Sequence, residues 1–131
     1  MGLLAAGCGG KVAECNKLVS VINSNAEAVK TATTKMDTSK GDPKPFEELA
    51  GAMDKAADSI KGVPLKNEEL KKLAKEYEEM MRNGAKDARS MVTAAAANDV
   101  AGLNKAMGEM GKIETAEAQL INKLNTFCLA K

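Results

Sequence analysis

The side chains here that could carry chemistry are thioethers, thiols and carboxylates. The chain of 131 residues holds eight methionines, three cysteines and eighteen acidic residues, and it has no histidine. Thioether sulfur is a soft donor that suits Cu(I). Met107 and Met110 stand three apart, the spacing of one helix face, and Met36 and Met91 fall in the same half of the fold derived below. These four are the candidate ligand or metal residues. The ordinary alternative for them is gap-filling in an irregular core. Cys8, Cys15 and Cys128 offer lipid attachment, a disulfide or buried thiols.

The missing histidine excludes whole classes of activity. Ser-His-Asp and Cys-His catalysis, His-ligated haem and the Glu-x-x-His di-iron bundles all need it. Ser20, Ser24, Ser59 and Ser90 therefore have no conventional base. No Gly-Lys-Ser/Thr phosphate loop and no calcium-hand spacing is present. No enzyme and no resident cofactor are expected. Nineteen basic residues against eighteen acidic ones leave a net charge of +1, and there are two Phe, one Tyr and no Trp. That composition supplies neither the basic surplus nor the stacking surface that nucleic acid would need.

The elements that must position these residues are helical, because Ala, Lys, Glu, Leu and Met dominate and strand-like alternation is absent. Four segments are predicted, over residues 11–38, 45–61, 67–97 and 99–129. In the first, Cys15, Leu18, Val19, Ile22, Ala26, Val29, Thr33 and Met36 recur at helical spacing. The run 39–45, with Gly41, Pro43 and Pro45, breaks it. The second segment has Pro45 at its start, with Glu47 and Glu48 at the positive end of the dipole. Its face is Phe46, Leu49, Ala50, Met53, Ala56, Ala57 and Ile60, and Gly62 and Pro64 stop it. Asn67 is a natural N-cap for the third, whose stripe runs from Leu70 through Leu73, Ala74, Tyr77, Met80/Met81, Ala85, Ala88, Met91 and Val92 to Ala95. Its opposite face pairs Glu68–Lys72, Lys72–Glu76, Lys75–Glu79 and Glu78–Arg82 at i,i+4. Asn98-Asp99 marks a stop and a new cap. The fourth stripe is Val100, Leu103, Met107, Met110, Ile113, Leu120, Ile121, Leu124, Phe127 and Cys128.

Four amphipathic helices with short connections predict an all-α, antiparallel up-down-up-down four-helix bundle over residues 11–131, with a short second helix. In that topology the first and last helices are neighbours. Cys15 and Cys128 then lie at one end and at one level, which predicts a disulfide between them and an oxidising compartment. The second helix is roughly 26 Å long while the others reach roughly 40–46 Å. Either the proline-rich loop covers the missing length or a groove is left among the other three helices.

Residues 1–10 read Met-Gly-Leu-Leu-Ala-Ala-Gly-Cys-Gly-Gly. Leu4-Ala5-Ala6-Gly7-Cys8 resembles the lipobox that ends a bacterial lipoprotein signal, here with the front of the signal missing. The resemblance implies cleavage before Cys8, a lipid on its thiol, and export to the periplasm, the outer membrane or the cell surface. Gly9-Gly10 would then be the tether. The end that carries Cys15 also carries Lys11, Lys17, Lys61, Lys66, Lys71, Lys72, Lys123 and Lys131, against Glu14, Asp58, Glu68 and Glu69, an excess suited to anionic headgroups. The expected protein is a non-enzymatic exported lipoprotein that contacts the membrane through its anchor and meets a protein partner at the cell envelope. The alternative is a binding module that holds an apolar ligand or Cu(I) in the Met-rich half. A binding module requires a pocket between the helices, whereas a structural module requires none.

Overall fold

Four helices follow one another: α1 (Gly9–Asp37), α2 (Lys44–Lys61), α3 (Glu68–Ala96) and α4 (Val100–Leu129). A computed structural model describes residues 9–37 and 42–130. Cys8 and the loop residues 38–41 lie outside the described residues.

The helix ends follow from local chemistry. The Asn67 side chain accepts hydrogen bonds from the backbone N–H groups of Glu69 and Leu70 at 3.0 and 3.1 Å, satisfying donors that have no partner within the helix. Asp99 does the same for Gly102 at 2.9 Å. A Cβ on Gly102 would stand 2.3 Å from the Asp99 carboxylate, so the glycine leaves room for the cap. The turn into α4 passes through Asn98 at φ 53°, a left-handed conformation that asparagine tolerates. At α2, Pro45 sits inside the first turn. Asp42 begins that turn by accepting from Lys44 N–H at 3.0 Å.

These helices pack as the antiparallel bundle, with α3 at its centre. From Leu70 through Leu73, Tyr77, Met81, Ala85 and Ala88 to Met91, the α3 stripe is fully or almost fully buried. α3 packs broadly against α2 on one side and α4 on the other, and α1 lies mainly on α2. The α2–α3 contact is close because its residues are small. Ala50, Ala56 and Ala57 are buried on α2, and Ala74, Gly84, Ala85 and Ala88 are buried on α3. A Cβ at Gly84 would come within 2.6 Å of the Met53 sulfur.

The α1–α4 seam is different. These helices meet over a narrow strip, and the links between them are at one end. There Cys15 and Cys128 form the predicted disulfide, with Cα atoms 5.9 Å apart across 113 residues of sequence. Lys11 Nζ donates to the Ala130 carbonyl at 2.8 Å and lies 4.5 Å from the centre of the Phe127 ring. At the same end, the Glu14 carboxylate accepts from the backbone N–H groups of Lys66 and Asn67. At the far end Lys35 pairs with Glu48 of α2 at 3.0 Å.

Three expectations need correction. Val100 and Met107 belong to the predicted α4 stripe, yet they are 69% and 54% exposed, while Ala106 is buried. The half of α4 near α1's end faces an open seam, so only its α3-facing side is covered. Arg82 pairs not with Glu78 but with Asp54 and Asp58 of α2, at 3.4 and 2.5 Å. Arg89 also reaches Asp54. Lys123 binds Glu76 across α4 and α3 at 3.4 Å, in place of the expected Lys72. The close approach of α2 and α4 to α3 puts these partners nearer than the next turn of the same helix.

Candidate functional site

The seam opens into a cavity of about 200 Å³ in the half of the bundle away from the disulfide. All four helices line it. α1 supplies Val29, Thr33 and Met36, α2 supplies Leu49 and Met53, and α3 supplies Met81 and Met91. α4 supplies Met107, Met110, Gly111, Ile113, Glu114 and Glu117. Six of the eight methionines in the chain thus converge on one space.

The four methionines singled out by spacing and level, Met36, Met91, Met107 and Met110, all line it. Met53 and Met81 were missed, although both lie on predicted apolar stripes. Matching levels between antiparallel neighbours would have placed them beside the other four. α2 borders this space together with α1, α3 and α4, so it is a cavity at a level where all four helices are present and not the groove that a missing length of α2 would leave among the other three.

Burial divides the lining into a floor and a mouth. Leu49, Met53, Met81 and Met91 are buried and form the floor. Val29, Thr33, Met36, Met110 and Ile113 are half-buried, and Met107, Gly111 and Glu114 are exposed on the mouth side. Gly111 adds width, since nothing stands within 4 Å of where its Cβ would be.

Polar groups are few, and they share a character. The Thr33 hydroxyl donates to the Val29 carbonyl at 2.9 Å, so its hydrogen is already used. The ionisable side chains in the lining are Glu114 and Glu117, three apart on one face of α4. Burial, and then the charge of Glu114, hold the Glu117 carboxyl above the ordinary glutamate range. Tyr77 of α3 lies close enough to feel Glu117. Burial first, then that charge, push the Tyr77 hydroxyl above the usual tyrosine value, while Asn25 draws it down. The Tyr77 oxygen is buried without a well-formed hydrogen bond. Asn25 instead donates to Ala56 O at 3.3 Å and accepts from Ser59 at 3.0 Å.

Two kinds of guest suit such a lining. Thioether sulfurs at Met36, Met107 and Met110 could hold a soft monovalent metal. A small apolar molecule could fill the space against Met53, Met81 and Met91, because methionine adapts to irregular shapes. Among the described residues, no group of three or more Cys, Asp or Glu is gathered to hold a metal ion. A shallow depression of about 390 Å³ lies at the α3–α4 turn, lined by Ala94, Ala97, Asp99, Lys105 and Glu109 among others. No helix among the described residues is long and apolar enough to cross a membrane. No family model matches the chain, and no curated protein or solved structure matches it either.

Proposed function

We propose that this protein is an exported, lipid-anchored helical bundle that holds a small apolar ligand in the thioether-lined cavity. The observation that carries the reading is the convergence of six methionines from four helices on one space of about 200 Å³. A purely structural bundle gains by packing such a space shut, because unfilled core volume destabilises. The size restricts the guest. An apolar cavity of about 150 Å³ accepts benzene, so this one fits a body of roughly six to eight carbons. Longer chains would protrude through the mouth at Met107.

The test uses protein carrying ¹³C-methyl methionine and a titration with 1-octanol. The methyl signals of Met36, Met53, Met81, Met91, Met107 and Met110 are expected to shift together. Met80, which faces a different surface beside Glu76 and Asn83, is expected to stay in place. No shift up to the solubility limit of octanol, or an equal shift at Met80, would falsify the reading. The anchor is tested separately by metabolic labelling with palmitate in a bacterial host, using the chain behind an intact lipoprotein signal. Label should be lost on Cys8→Ala.

Cu(I) is the second reading for the same cavity, favoured by the thioethers of Met36, Met107 and Met110 at its mouth. Anaerobic titration with Cu(I) decides it, and a dissociation constant weaker than about millimolar removes it.

A further inference from the structure

The polar part of the cavity has one chemical sense. Glu114 and Glu117 line it, no lysine or arginine among the described residues does, and the Thr33 hydrogen is committed to Val29. Its side chains therefore offer acceptors and negative charge to a guest, and no free donor. A fatty acid or an alkyl phosphate would set its charge against two carboxylates. A bare metal ion would leave most of about 200 Å³ of methyl and methylene lining without a partner.

The placement of the two carboxylates adds direction. Both project from the same face of α4, with Glu114 at the exposed mouth and Glu117 half-buried one turn further in. The floor of Leu49, Met53, Met81 and Met91 lies inward of them and is uniformly apolar. A molecule that satisfied both regions would have an apolar body on the floor and a charged donor between the two glutamates. An ammonium has the needed form, with up to three N–H donors and one positive charge.

We propose that the cavity is a site for a small cationic amphiphile, an alkyl or aryl amine, with its ammonium held by Glu114 and Glu117 and its apolar body on the methionine floor. This inference rests on the binding reading above and specifies its ligand class. Bringing a cation to the site also relieves the unfavourable burial of the Glu117 charge and its repulsion by Glu114.

Three probes with the same eight-carbon body test it on the whole chain: n-octylammonium, 1-octanol and octanoate, each titrated by calorimetry at neutral pH with methionine methyl signals followed in parallel. Octylammonium is expected to bind about tenfold more tightly than octanol, the scale of one hydrogen bond to a charged partner. Octanoate is expected to bind most weakly. In Glu117→Gln, octylammonium should fall to the affinity of octanol, while octanol itself stays unchanged. Glu114→Gln should give a smaller loss in the same sense, because Glu114 is more exposed. If octanol binds and octylammonium binds no more tightly, the ammonium assignment is overturned and the cavity reading survives. Octylammonium affinity that persists in Glu117→Gln and Glu114→Gln alike also overturns it. If none of the three probes moves the cavity methionines, both readings fall together.

Discussion

Removing the disulfide is the perturbation with the clearest magnitude. Cys15 and Cys128 close a loop of 113 residues. In the chain-entropy argument, opening a loop of that length releases about 4.8 kcal/mol of constraint from the unfolded state at 25 °C. The native side adds little in the other direction. The ends of α1 and α4 are otherwise joined by the exposed Lys11 contacts with Ala130 and Phe127. A domain of this size has roughly 5–15 kcal/mol of stability in all, so the link contributes a third or more of it. The variant to make is Cys15→Ala with Cys128→Ala, because serine would place a hydroxyl at the buried Cys15 position. Urea unfolding followed by far-UV circular dichroism should show a loss of about 3–5 kcal/mol. The slope against urea should also rise, since an unlinked unfolded chain exposes more surface. Octanol affinity should change by less than about twofold, because the cavity lies toward the other end and α1 stays attached to α2 through Asn25 and Lys35. A variant within about 1 kcal/mol of the parent, with an unchanged slope, would refute the argument that this link works on the unfolded chain.

Other perturbations separate packing from function. Gly84→Ala adds a methyl 2.6 Å from the Met53 sulfur. The end of Met53 can swing into the cavity, and the alanine gains about 1 kcal/mol of helix preference, so stability should change by under about 1 kcal/mol while octanol affinity drops by roughly fivefold. A Gly84→Ala variant that binds octanol as before would mean that Met53 does not border the ligand. Gly108→Ala and Gly111→Ala meet no atom within 4 Å, so each should stabilise α4 by roughly 0.5–1 kcal/mol, read from the urea midpoint. The pH dependence of stability carries the signature of Glu117. Its folded value lies above the unfolded 4.5, so its stabilising share is complete below about pH 4.5 and is lost as pH rises through the folded value. Tyr77 of α3, held above the usual tyrosine value, remains neutral over that rise. Thermal midpoints of Glu117→Gln should therefore match the parent near pH 4 and exceed it near pH 7; a constant offset at both would contradict the assignment.

How much of this was legible in the sequence depends on how local each feature is. The caps at Asn67 and Asp99 need only a few residues of sequence, and both were visible as a polar residue before an apolar run. The Cys15–Cys128 link joins distant residues, yet it follows from topology, because an even number of antiparallel helices returns the chain to its starting end. The rotation of each helix about its axis is a different matter. It depends on where the small side chains are, and here the buried faces of α2 and α3 carry Ala50, Ala56 and Ala57 on one and Gly84, Ala85 and Ala88 on the other. Their contact draws α2 tightly onto α3, carries Arg82 and Arg89 to Asp54, and leaves α1 and α4 with a narrow common strip. The apolar stripes of α1 and α4, read as core from their spacing, are consequently half-covered at Val29, Thr33 and Met36 and at Met110 and Ile113, and Met107 is exposed. The same displacement explains why Met53 and Met81 were read as ordinary core. They do pack in the interior, but on the side that the separation of α1 and α4 leaves open. α2 has 18 residues against 29 or 30 in its neighbours, but Leu49 and Met53 stand level with the cavity, and the length it lacks is at the disulfide end, where Lys66 and Asn67 meet Glu14. A cavity edged by adaptable methionines follows instead from the narrow α1–α4 strip, which leaves the methionine faces of α1 and α4 apart beside an α2 that sits on α3.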